Sequence, residues 1–363
     1  MITFEDVSKI YDVGTTAVDR LDLEVSDGEI VVLVGPSGCG KTTTLRLINR
    51  MIEPSSGRIE VDGRDVQSVS PHELRRGIGY VIQSGGLFPH RTIADNIATV
   101  PRLLGWDRRQ IEDRVGELLE LVGLPQHVAT RYPHQLSGGQ RQRVGVGRAL
   151  AVDPPVMLMD EPFGAVDPIV RTHLQDEFLR LQAEMRKTIV FVTHDIDEAI
   201  RVGDRIAIFN VGGVVEQYAS PAELLADPAN RFVEDFLGDD RGLKQLSLVS
   251  VSELAADPGA VVRPDDSLEH ARRVAREDAS GWVVIVGGDE RLLGWLPVDE
   301  LKGDGNVDEL DWSQPRLTVR ADDTLRSALN AMVAGRMGVA VRVDADGRYE
   351  GVITQANVAG QLT

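Results

Sequence analysis

The fold of this chain follows from one segment, Gly35-Pro36-Ser37-Gly38-Cys39-Gly40-Lys41-Thr42. The segment comes directly after the apolar run 30–34 and opens the run 43–48, which predicts a strand, a glycine-rich turn and a helix. In this setting the pattern G-x-x-x-x-G-K-[ST] is a phosphate-binding loop, or P-loop. Its backbone N–H groups are expected to line a concave anion site at the positive end of the helix dipole. We predict that Lys41 reaches the β- and γ-phosphates of a nucleotide and that Thr42 helps to hold Mg²⁺.

The composition indicates a soluble globular protein of two or three domains, since 42% of the 363 residues are hydrophobic and 26% are charged. The net charge of −18 weighs against nonspecific binding to nucleic acid or to an anionic bilayer. No apolar run approaches the roughly 20 residues that span a membrane, and residues 1–6 lack the features of a signal peptide. Cys39 is the only cysteine, so we expect a reducing compartment and a packing role for this thiol.

Two further apolar runs end in polar residues that suit hydrolysis. Val156-Met157-Leu158-Met159-Asp160-Glu161-Pro162 predicts a buried parallel strand with two carboxylates at its C-terminal end, where ligands bind in such sheets. Asp160 is expected to hold Mg²⁺, and Glu161 to accept the proton of the attacking water. The run 188–195 places His194 at the same sheet edge. The alternative is an acidic pair that caps a strand end, together with a histidine that has a structural role.

Residues 3–25 alternate between apolar and polar positions in two short runs. The alternation predicts two antiparallel strands before the P-loop. Tyr11 lies between the two runs. Two roles are open to its ring: packing on the sheet, or stacking on a purine.

A mostly helical insert, about 84–150, follows the predicted strand 78–83, which ends on Gln83. Residues 92–122 are predicted to be helical, because apolar residues recur there at helical spacing. Near the end of the insert, Leu136-Ser137-Gly138-Gly139-Gln140 directly precedes another helix. Such a segment is either a second anion site at a helix N-terminus or an ordinary turn.

The C-terminal third contains an internal repeat. Residues 261–268 are echoed by residues 317–325, and each copy is followed by an alanine-rich helix, a strand, an acidic turn and a second strand. Two copies about 55 residues apart predict one pseudo-symmetric module. The predicted domains are 1–238, a linker 239–247, a first repeat 248–303 and a second repeat 312–363.

The order of these motifs resembles the nucleotide-binding subunit of ABC transporters over about residues 1–238. The motifs are the P-loop, Gln83, the segment 136–140, the pair Asp160-Glu161, Asp167 and His194. The resemblance implies an α/β fold, in which a P-loop NTPase core carries an antiparallel β subdomain and a helical subdomain. It also implies ATP and Mg²⁺ as cofactors and a head-to-tail homodimer with two bound ATP molecules, since the segment 136–140 of one subunit would complete the site of the other.

The same resemblance implies a role for each motif residue. Tyr11 would stack on adenine, and Gln83 would lie near Mg²⁺ and the lytic water. His194 would contact the γ-phosphate and orient Glu161. Asp167 would be the D-loop aspartate, although the usual Ser-Ala-Leu before it is altered. The implied catalytic residues are Glu161, His194 and Gln83, and the implied metal ligands are Thr42, Gln83 and Asp160. The implied nucleotide-binding residues are Tyr11, Gly35, Pro36, Ser37, Gly38, Cys39, Gly40, Lys41, Thr42, Thr43, Ser137, Gly138, Gly139, Gln140 and Asp167.

The C-terminal repeat resembles a tandem CBS module, or Bateman domain, of α+β fold. An ABC ATPase with such a module resembles the ATPases of importers for osmoprotectants and other quaternary amines, such as glycine betaine, choline and carnitine. This resemblance implies transmembrane permease subunits, an extracytoplasmic substrate-binding protein that acts through the permease, and a location at the cytoplasmic face of the cell membrane. It implies no nucleic-acid partner. The substrate itself does not follow, because the ATPase does not touch it.

Two other functions agree less well with this sequence than an importer ATPase does. A soluble ABC ATPase that acts on DNA or ribosomes predicts tandem ATPase halves, a coiled-coil insertion or a basic surface. A nucleotide-dependent switch does not need the hydrolytic pair Glu161 and His194. For the CBS pair, a dimerising spacer and a sensor both stay open, with a cyclic dinucleotide or ionic strength as the signal. Asn357 and Pro297 stand where Asp and Thr commonly contact a ribose, which weighs against ordinary nucleotide binding.

Overall fold

The chain divides into two units, Met1–Gly238 and Asp239–Thr363, and each encloses hydrophobic cores of its own. The computed structural model describes residues 1–12, 14–82, 86–164, 167–278, 281–312 and 317–361, without the side chains of residues 168–170. No helix among those residues is both long and apolar enough to cross a bilayer.

The first unit contains a small antiparallel sheet and a larger, mainly parallel one. Its strands are β1 (Ile2–Ile10), β2 (Thr16–Val25), β3 (Ile30–Val34), β4 (Ser56–Val61), β5 (Arg64–Asp65), β6 (Ile78–Val81), β7 (Val156–Asp160), β8 (Thr188–Val192), β9 (Arg205–Asn210) and β10 (Val214–Ala219). The small sheet has the order β2-β1-β4-β5, with antiparallel neighbours, as the alternation in residues 3–25 predicts. The large sheet has the order β10-β9-β3-β8-β7-β6, in which β9 and β10 pair antiparallel and the other neighbours are parallel.

Strands β3, β8 and β7 form the buried centre of the large sheet. Every residue of β3 and β8 is buried, because alternate side chains of β3 pack into two cores on opposite faces of the sheet. This two-sided burial explains the continuous apolar runs in the sequence. Since the three strands are parallel neighbours, their C-terminal ends lie side by side. The P-loop, the pair Asp160-Glu161 and His194 therefore follow the same edge of one sheet.

The helices of the first unit include a separate helical region, α3 to α6, within the predicted insert. The α-helices of the first unit are α1 (Lys41–Ile48), α2 (Pro71–Arg76), α3 (Ile93–Ile97), α4 (Thr99–Leu103), α5 (Arg108–Leu121), α6 (Gly138–Ala149), α7 (Pro168–Met185), α8 (Ile196–Val202), α9 (Pro221–Ala226) and α10 (Arg231–Leu237). The run 92–122, predicted to be helical, is divided into α3, α4 and α5. The break before α5 has a local cause, because Asp107 and Gln110 form a capping box that starts a new helix.

The second unit contains two three-stranded sheets of identical topology. Its elements are α11 (Arg241–Leu246), β11 (Val261–Val262), α12 (Leu268–Glu277), β12 (Trp282–Val286), β13 (Leu292–Pro297), β14 (Thr318–Val319), α13 (Leu325–Gly335), β15 (Val339–Val343), β16 (Tyr349–Thr354) and α14 (Gln355–Ala359). In β11-β12-β13 and in β14-β15-β16, the first pair is parallel and the second is antiparallel. The internal repeat of the sequence therefore corresponds to two pseudo-symmetric β-α-β-β units.

The residues that precede β11, the first strand of the first repeat, pack on the second repeat. Residues 239–247 were expected to be a linker, but they contain α11, and Leu246 and Val251 are buried in the core of the second repeat. The backbone of this segment also pairs with that repeat, since the Val251 N–H donates to the Asp323 carbonyl at 2.8 Å. We call residues 241–257 the arm. The sequence pattern predicted neither the helix in this segment nor the repeat against which it packs.

Candidate nucleotide site

The P-loop joins β3 to α1 and contains two glycines that no other residue could replace without a backbone shift. Gly35 has a φ of +152° and Gly40 a φ of +106°. A Cβ on Gly35 would lie 2.2 Å from the Phe209 carbonyl oxygen, and one on Gly40 would lie 2.0 Å from the Ala17 carbonyl oxygen. The loop is therefore pressed against β9 and β2, which supports the open concavity at its tip. Ser37 and Gly38 form the exposed part of the loop, and Thr43 lies half-buried in the first turn of α1.

Lys41 is buried within the P-loop. Its Nζ donates to the carbonyl oxygens of Gly35, at 2.7 Å, and Pro36, at 3.0 Å. The ammonium group therefore lies inside the loop. Cys39 is fully buried in the neighbouring core, with its Sγ 3.5 Å from the Lys41 Nζ, which is the position of a packing residue.

A hydrogen bond joins the P-loop helix to the end of β7. The Thr42 hydroxyl donates to Asp160 Oδ1 at 3.2 Å. Burial raises the pKa of Asp160 above its ordinary value, and the hydrogen bond from Thr42 and the charge of Arg46 oppose that shift. A hydroxyl and a carboxylate side by side are the oxygen ligands that Mg²⁺ takes from a protein when phosphates supply others. The two residues thus fit the metal site that the sequence predicts.

Glu161 and His194 meet beside this pair. Glu161 has a left-handed φ of +46°, and its N–H donates to the Val192 carbonyl at the end of β8, at 2.9 Å. Glu161 Oε1 lies 3.1 Å from His194 Nδ1. The Glu161 side chain is 23% exposed and the His194 side chain 61% exposed, so the imidazole is open to solvent while the carboxylate is largely shielded.

The segment 136–140 forms the N-terminus of α6. Ser137 Oγ accepts a hydrogen bond from the Gln140 N–H at 3.2 Å, and Gln140 Oε1 accepts one from the Ser137 N–H at 3.0 Å, a reciprocal capping box. Gly138 and Gly139 form the first turn. Within the described part of the chain, no hydrogen bond joins these four residues to the P-loop of the same chain.

The remaining predicted residues are Tyr11, Asp167 and Gln83. Tyr11 is exposed in the turn between β1 and β2, with the Lys9 ammonium 5.3 Å from its ring centre. Asp167 is exposed directly before α7, and its carbonyl accepts a hydrogen bond from the Arg171 N–H at 2.8 Å. Gln83 lies outside the residues that the structure describes.

The sequence patterns do not single out the polar residues that flank His194. Asp195 caps α8, and Glu198, in the first turn of that helix, is buried. Both carboxylates contact side chains of α7. The spacing Asp-x-x-Glu at a helix start is a capping signal, but burial of Glu198 and its contacts with α7 depend on tertiary packing.

Comparison with known proteins agrees with this geometry. Residues 18–164 match the ABC transporter family, and residues 309–362 match the CBS domain family. The osmoprotectant import ATP-binding protein OsmV of Salmonella typhimurium is 47% identical over 350 residues, which cover 96% of this chain and 91% of that protein. The choline transport ATP-binding protein OpuBA of Bacillus subtilis is 43% identical over 363 residues, 99% of this chain and 95% of that protein.

Among solved structures, an ATP-binding cassette determined as a dimer in a post-hydrolysis state with ADP and Pi is 33% identical, with a TM-score of 0.55. It matches over 61% of this chain and 99% of its own length. The cbiO1 protein of Clostridium perfringens, part of an ABC transporter complex, has a TM-score of 0.58 at 26% identity, over 68% of this chain and 98% of its own. The resemblance inferred from the motifs and the predicted fold class are thus confirmed. The chain belongs to the family of ABC transporter ATP-binding proteins that includes these osmoprotectant and choline import proteins, and it is an ABC-type ATPase.

Proposed function

We propose that the protein hydrolyses ATP to drive an importer of osmoprotectants or other quaternary amines. One observation carries the hydrolytic part: Thr42 contacts Asp160, and Glu161 contacts His194, at the sheet edge that bears the P-loop. The transported class is inferred from the names of the relatives, which are similar over nearly the whole chain. The arrangement supports phosphoryl transfer to water, because a phosphate cradle, two metal-binding oxygens and a general base lie together.

The nucleotide is proposed to bind with its phosphates in the P-loop. Lys41 already lies inside the loop, where its ammonium would neutralise the β- and γ-phosphates. The exposed ring of Tyr11 is proposed to stack on adenine. Thr42 and Asp160 would hold Mg²⁺, together with Gln83, and the bound ion would supply charge neutralisation at the phosphate oxygens.

Glu161 is the proposed general base and His194 its orienting partner. The carboxylate would take a proton from the attacking water. His194 Nδ1 faces the carboxylate, which leaves Nε2 of the same ring free to face a γ-phosphate in the P-loop. One histidine then fixes the base and contacts the reacting group.

Two ATP molecules are proposed to bind between two head-to-tail copies of the chain. The N-terminus of α6 presents Ser137, Gly138, Gly139 and Gln140. The capping box uses the N–H groups of Ser137 and Gln140, and the N–H groups of Gly138 and Gly139 are suited to an anion. The lack of described hydrogen bonds from these residues to their own P-loop supports a role at the partner's site. Asp167, exposed before α7, would face the partner as well. The dimeric cassette among the structural relatives supports the same arrangement.

The helical region is proposed to dock on permease subunits at the cytoplasmic face of the membrane. Phe88, Arg91, Asp95 and Leu103 line a groove there, and Phe88 and Leu103 are 39% and 65% exposed. The groove follows Gln83 closely in sequence, which supports a path from the γ-phosphate to the permease. An extracytoplasmic binding protein would deliver the substrate through the permease.

The CBS pair, proposed as 248–303 and 312–363, is proposed to regulate the ATPase. In the second repeat, the Thr354 side chain caps α14 and bonds to Asn357, so these two residues are engaged with each other. In the first, one guanidinium nitrogen of Arg272 donates to the carbonyls of Leu301, at 3.0 Å, and Gly303, at 2.9 Å. The contacts between Thr354 and Asn357 weigh against a ribose site at Thr354. A cyclic dinucleotide and ionic strength are both kept as candidate signals.

Substitution of the general base tests the hydrolytic assignment. Glu161→Gln keeps the shape of the side chain but removes its basicity, so turnover should fall by roughly 10²-fold or more. ATP binding should persist, and the variant should accumulate as an ATP-bound dimer in size-exclusion chromatography. Glu112→Gln makes the same chemical change in an exposed i,i+4 pair on α5 and should leave turnover unchanged. Turnover of Glu161→Gln close to that of the unaltered protein would contradict the assignment.

A further inference from the structure

His194 lies in a short loop whose two flanking residues are held by hydrogen bonds. Thr193 is buried, and its N–H donates to the Leu33 carbonyl at the end of β3, at 3.2 Å. The Asp195 N–H donates to Thr193 Oγ1 at 3.1 Å, and Asp195 Oδ1 accepts from backbone N–H groups in the first turn of α8. The exposed imidazole of His194 thus stands on a backbone that is tied on both sides.

Helix α7 holds the same loop through two side-chain bridges one helical turn apart. Arg171 Nη1 lies 3.4 Å from Asp195 Oδ2. Gln175 Nε2 donates to Glu198 Oε1 at 2.9 Å, between two buried side chains. Burial raises the pKa of Glu198 above its ordinary value, while hydrogen bonds from Thr193 and Gln175 lower it. The Glu198 carboxyl therefore links the helix to the residue directly before His194.

A third bridge joins α7 to α8 farther from His194. Arg201 pairs with Asp176, and both side chains are largely exposed. Exposed pairs of this kind contribute little to stability. The two bridges nearest to His194 are more buried than the pair of Arg201 and Asp176. This difference is expected if the two bridges fix the position of the loop that carries His194.

We propose that Arg171 and Gln175 are positioning residues that hold the His194 imidazole in contact with the Glu161 carboxylate. This inference rests on the proposed function. The bridges act through the backbone of residues 193–195, because neither side chain is bonded to the imidazole itself in the described contacts. Helix α7 begins directly after Asp167, which is proposed to face the partner subunit. The same helix therefore connects the dimer interface to the hydrolytic pair.

A double-mutant cycle on the full-length chain separates positioning from a structural role. Arg171→Ala should lower kcat roughly 10-fold, within the range of up to about 10²-fold for a displaced catalytic group. KM for ATP should stay within about twofold, since the P-loop is untouched. In a His194→Ala background, Arg171→Ala should cause no further loss, because the group that it positions is missing. Equal losses in both backgrounds would overturn the inference.

Further variants distinguish a positioning role from a general loss of folding. Arg171→Lys keeps a charge that reaches Asp195 and should restore most of kcat, and Gln175→Ala should repeat the coupling to His194. Arg180→Ala removes an arginine from the same helix, where it pairs only with nearby Glu184 among the described contacts, and should leave kcat unchanged. If His194→Ala alone does not lower turnover, the proposed role of His194 fails and the inference fails with it. If His194→Ala lowers turnover but Arg171→Ala and Gln175→Ala do not, the inference alone fails.

Discussion

The backbone at Glu161 separates two neighbouring carboxylates into two different environments. Asp160 is still in register with β8, where its partner is Val192, and its side chain meets Thr42. Glu161 then takes a left-handed conformation, which costs a non-glycine residue about 1–2 kcal/mol. The cost is offset by the hydrogen bond from its N–H to the end of β8. Strain held in this way at a candidate base is typical of functional sites.

The P-loop glycines allow a prediction at the scale of single residues. Gly40→Ala would bring a Cβ to 2.0 Å from the Ala17 carbonyl oxygen, so the loop or β2 must shift. A Cβ on Gly38 meets nothing within 4 Å, although its φ of +80° is also left-handed. We expect Gly38→Ala to cost about 1–2 kcal/mol of backbone strain and Gly40→Ala distinctly more. Thermal unfolding of both variants measures the difference.

Nucleotide binding should follow the same order as stability. Gly40→Ala should weaken ATP binding, because the carbonyl clash moves the backbone that leads into Lys41. Gly38→Ala serves as the matched control for stability, with the same added methyl group at an open position of the same loop. Equal unfolding temperatures for the two variants would show that packing on β2 does not constrain the loop.

At the scale of elements, local patterns predicted most of what the structure contains. The P-loop and the strand that leads to Asp160 were predictable, because a glycine motif and a continuous apolar run depend on adjacent residues. From the strand pattern alone, the contact between Glu161 and His194 was predictable only as a shared sheet edge, since the strand order decides the distance. The pairing itself was expected from the resemblance to ABC ATPases. The bridges from Arg171 and Gln175 were not predictable, because they depend on how α7 packs against α8. The division of the run 92–122 depends on one capping box at Asp107.

The groove on the helical region supports a prediction about coupling. Phe88 stacks against Arg91, with 4.7 Å between the guanidinium carbon and the ring centre, and Leu103 lies across the groove from them. Phe88→Glu or Leu103→Glu should abolish transport in reconstituted vesicles, because a charge would replace the proposed apolar contact with the permease. Basal ATPase activity of the isolated chain should change little, since neither residue contacts the P-loop side of the sheet in the described interactions.

A matched control distinguishes docking from a general effect of added charge. Met51→Glu places the same charge at another exposed apolar position of the first unit, outside the groove. Transport by this variant should be close to that of the unaltered protein. Transport that survives Phe88→Glu and Leu103→Glu together would place the permease contact on another surface.

At the scale of the whole molecule, the order of the chain differs from the order of its folded parts. The arm, residues 241–257, precedes β11, the first strand of the first repeat, but completes the core of the second. Residues 305–308 show the converse arrangement, because they precede the second repeat but pair with the first. The Leu268 N–H donates to the Gly305 carbonyl, and the Val307 N–H donates to the Asp266 carbonyl. Each repeat is thus completed by residues that precede the other one. The two repeats therefore form one folding unit, and the arm is the part of that unit that is covalently nearest to the ATPase.

This interleaving predicts where the second unit can be truncated. A fragment of residues 239–363 keeps the arm, whereas a fragment of residues 257–363 loses Leu246 and Val251 from the core of the second repeat. Burial of two such side chains contributes about 3–6 kcal/mol, which is comparable with the whole stability of a small domain. The shorter fragment should therefore be largely unfolded at 25 °C. Urea unfolding, followed through the fluorescence of Trp282, Trp295 and Trp312, measures the difference. The 239–363 fragment with Leu246→Ala should have a stability between those of the two fragments. Equal stability of both fragments would mean that the arm is dispensable, and the second unit would then begin where the sequence repeat begins.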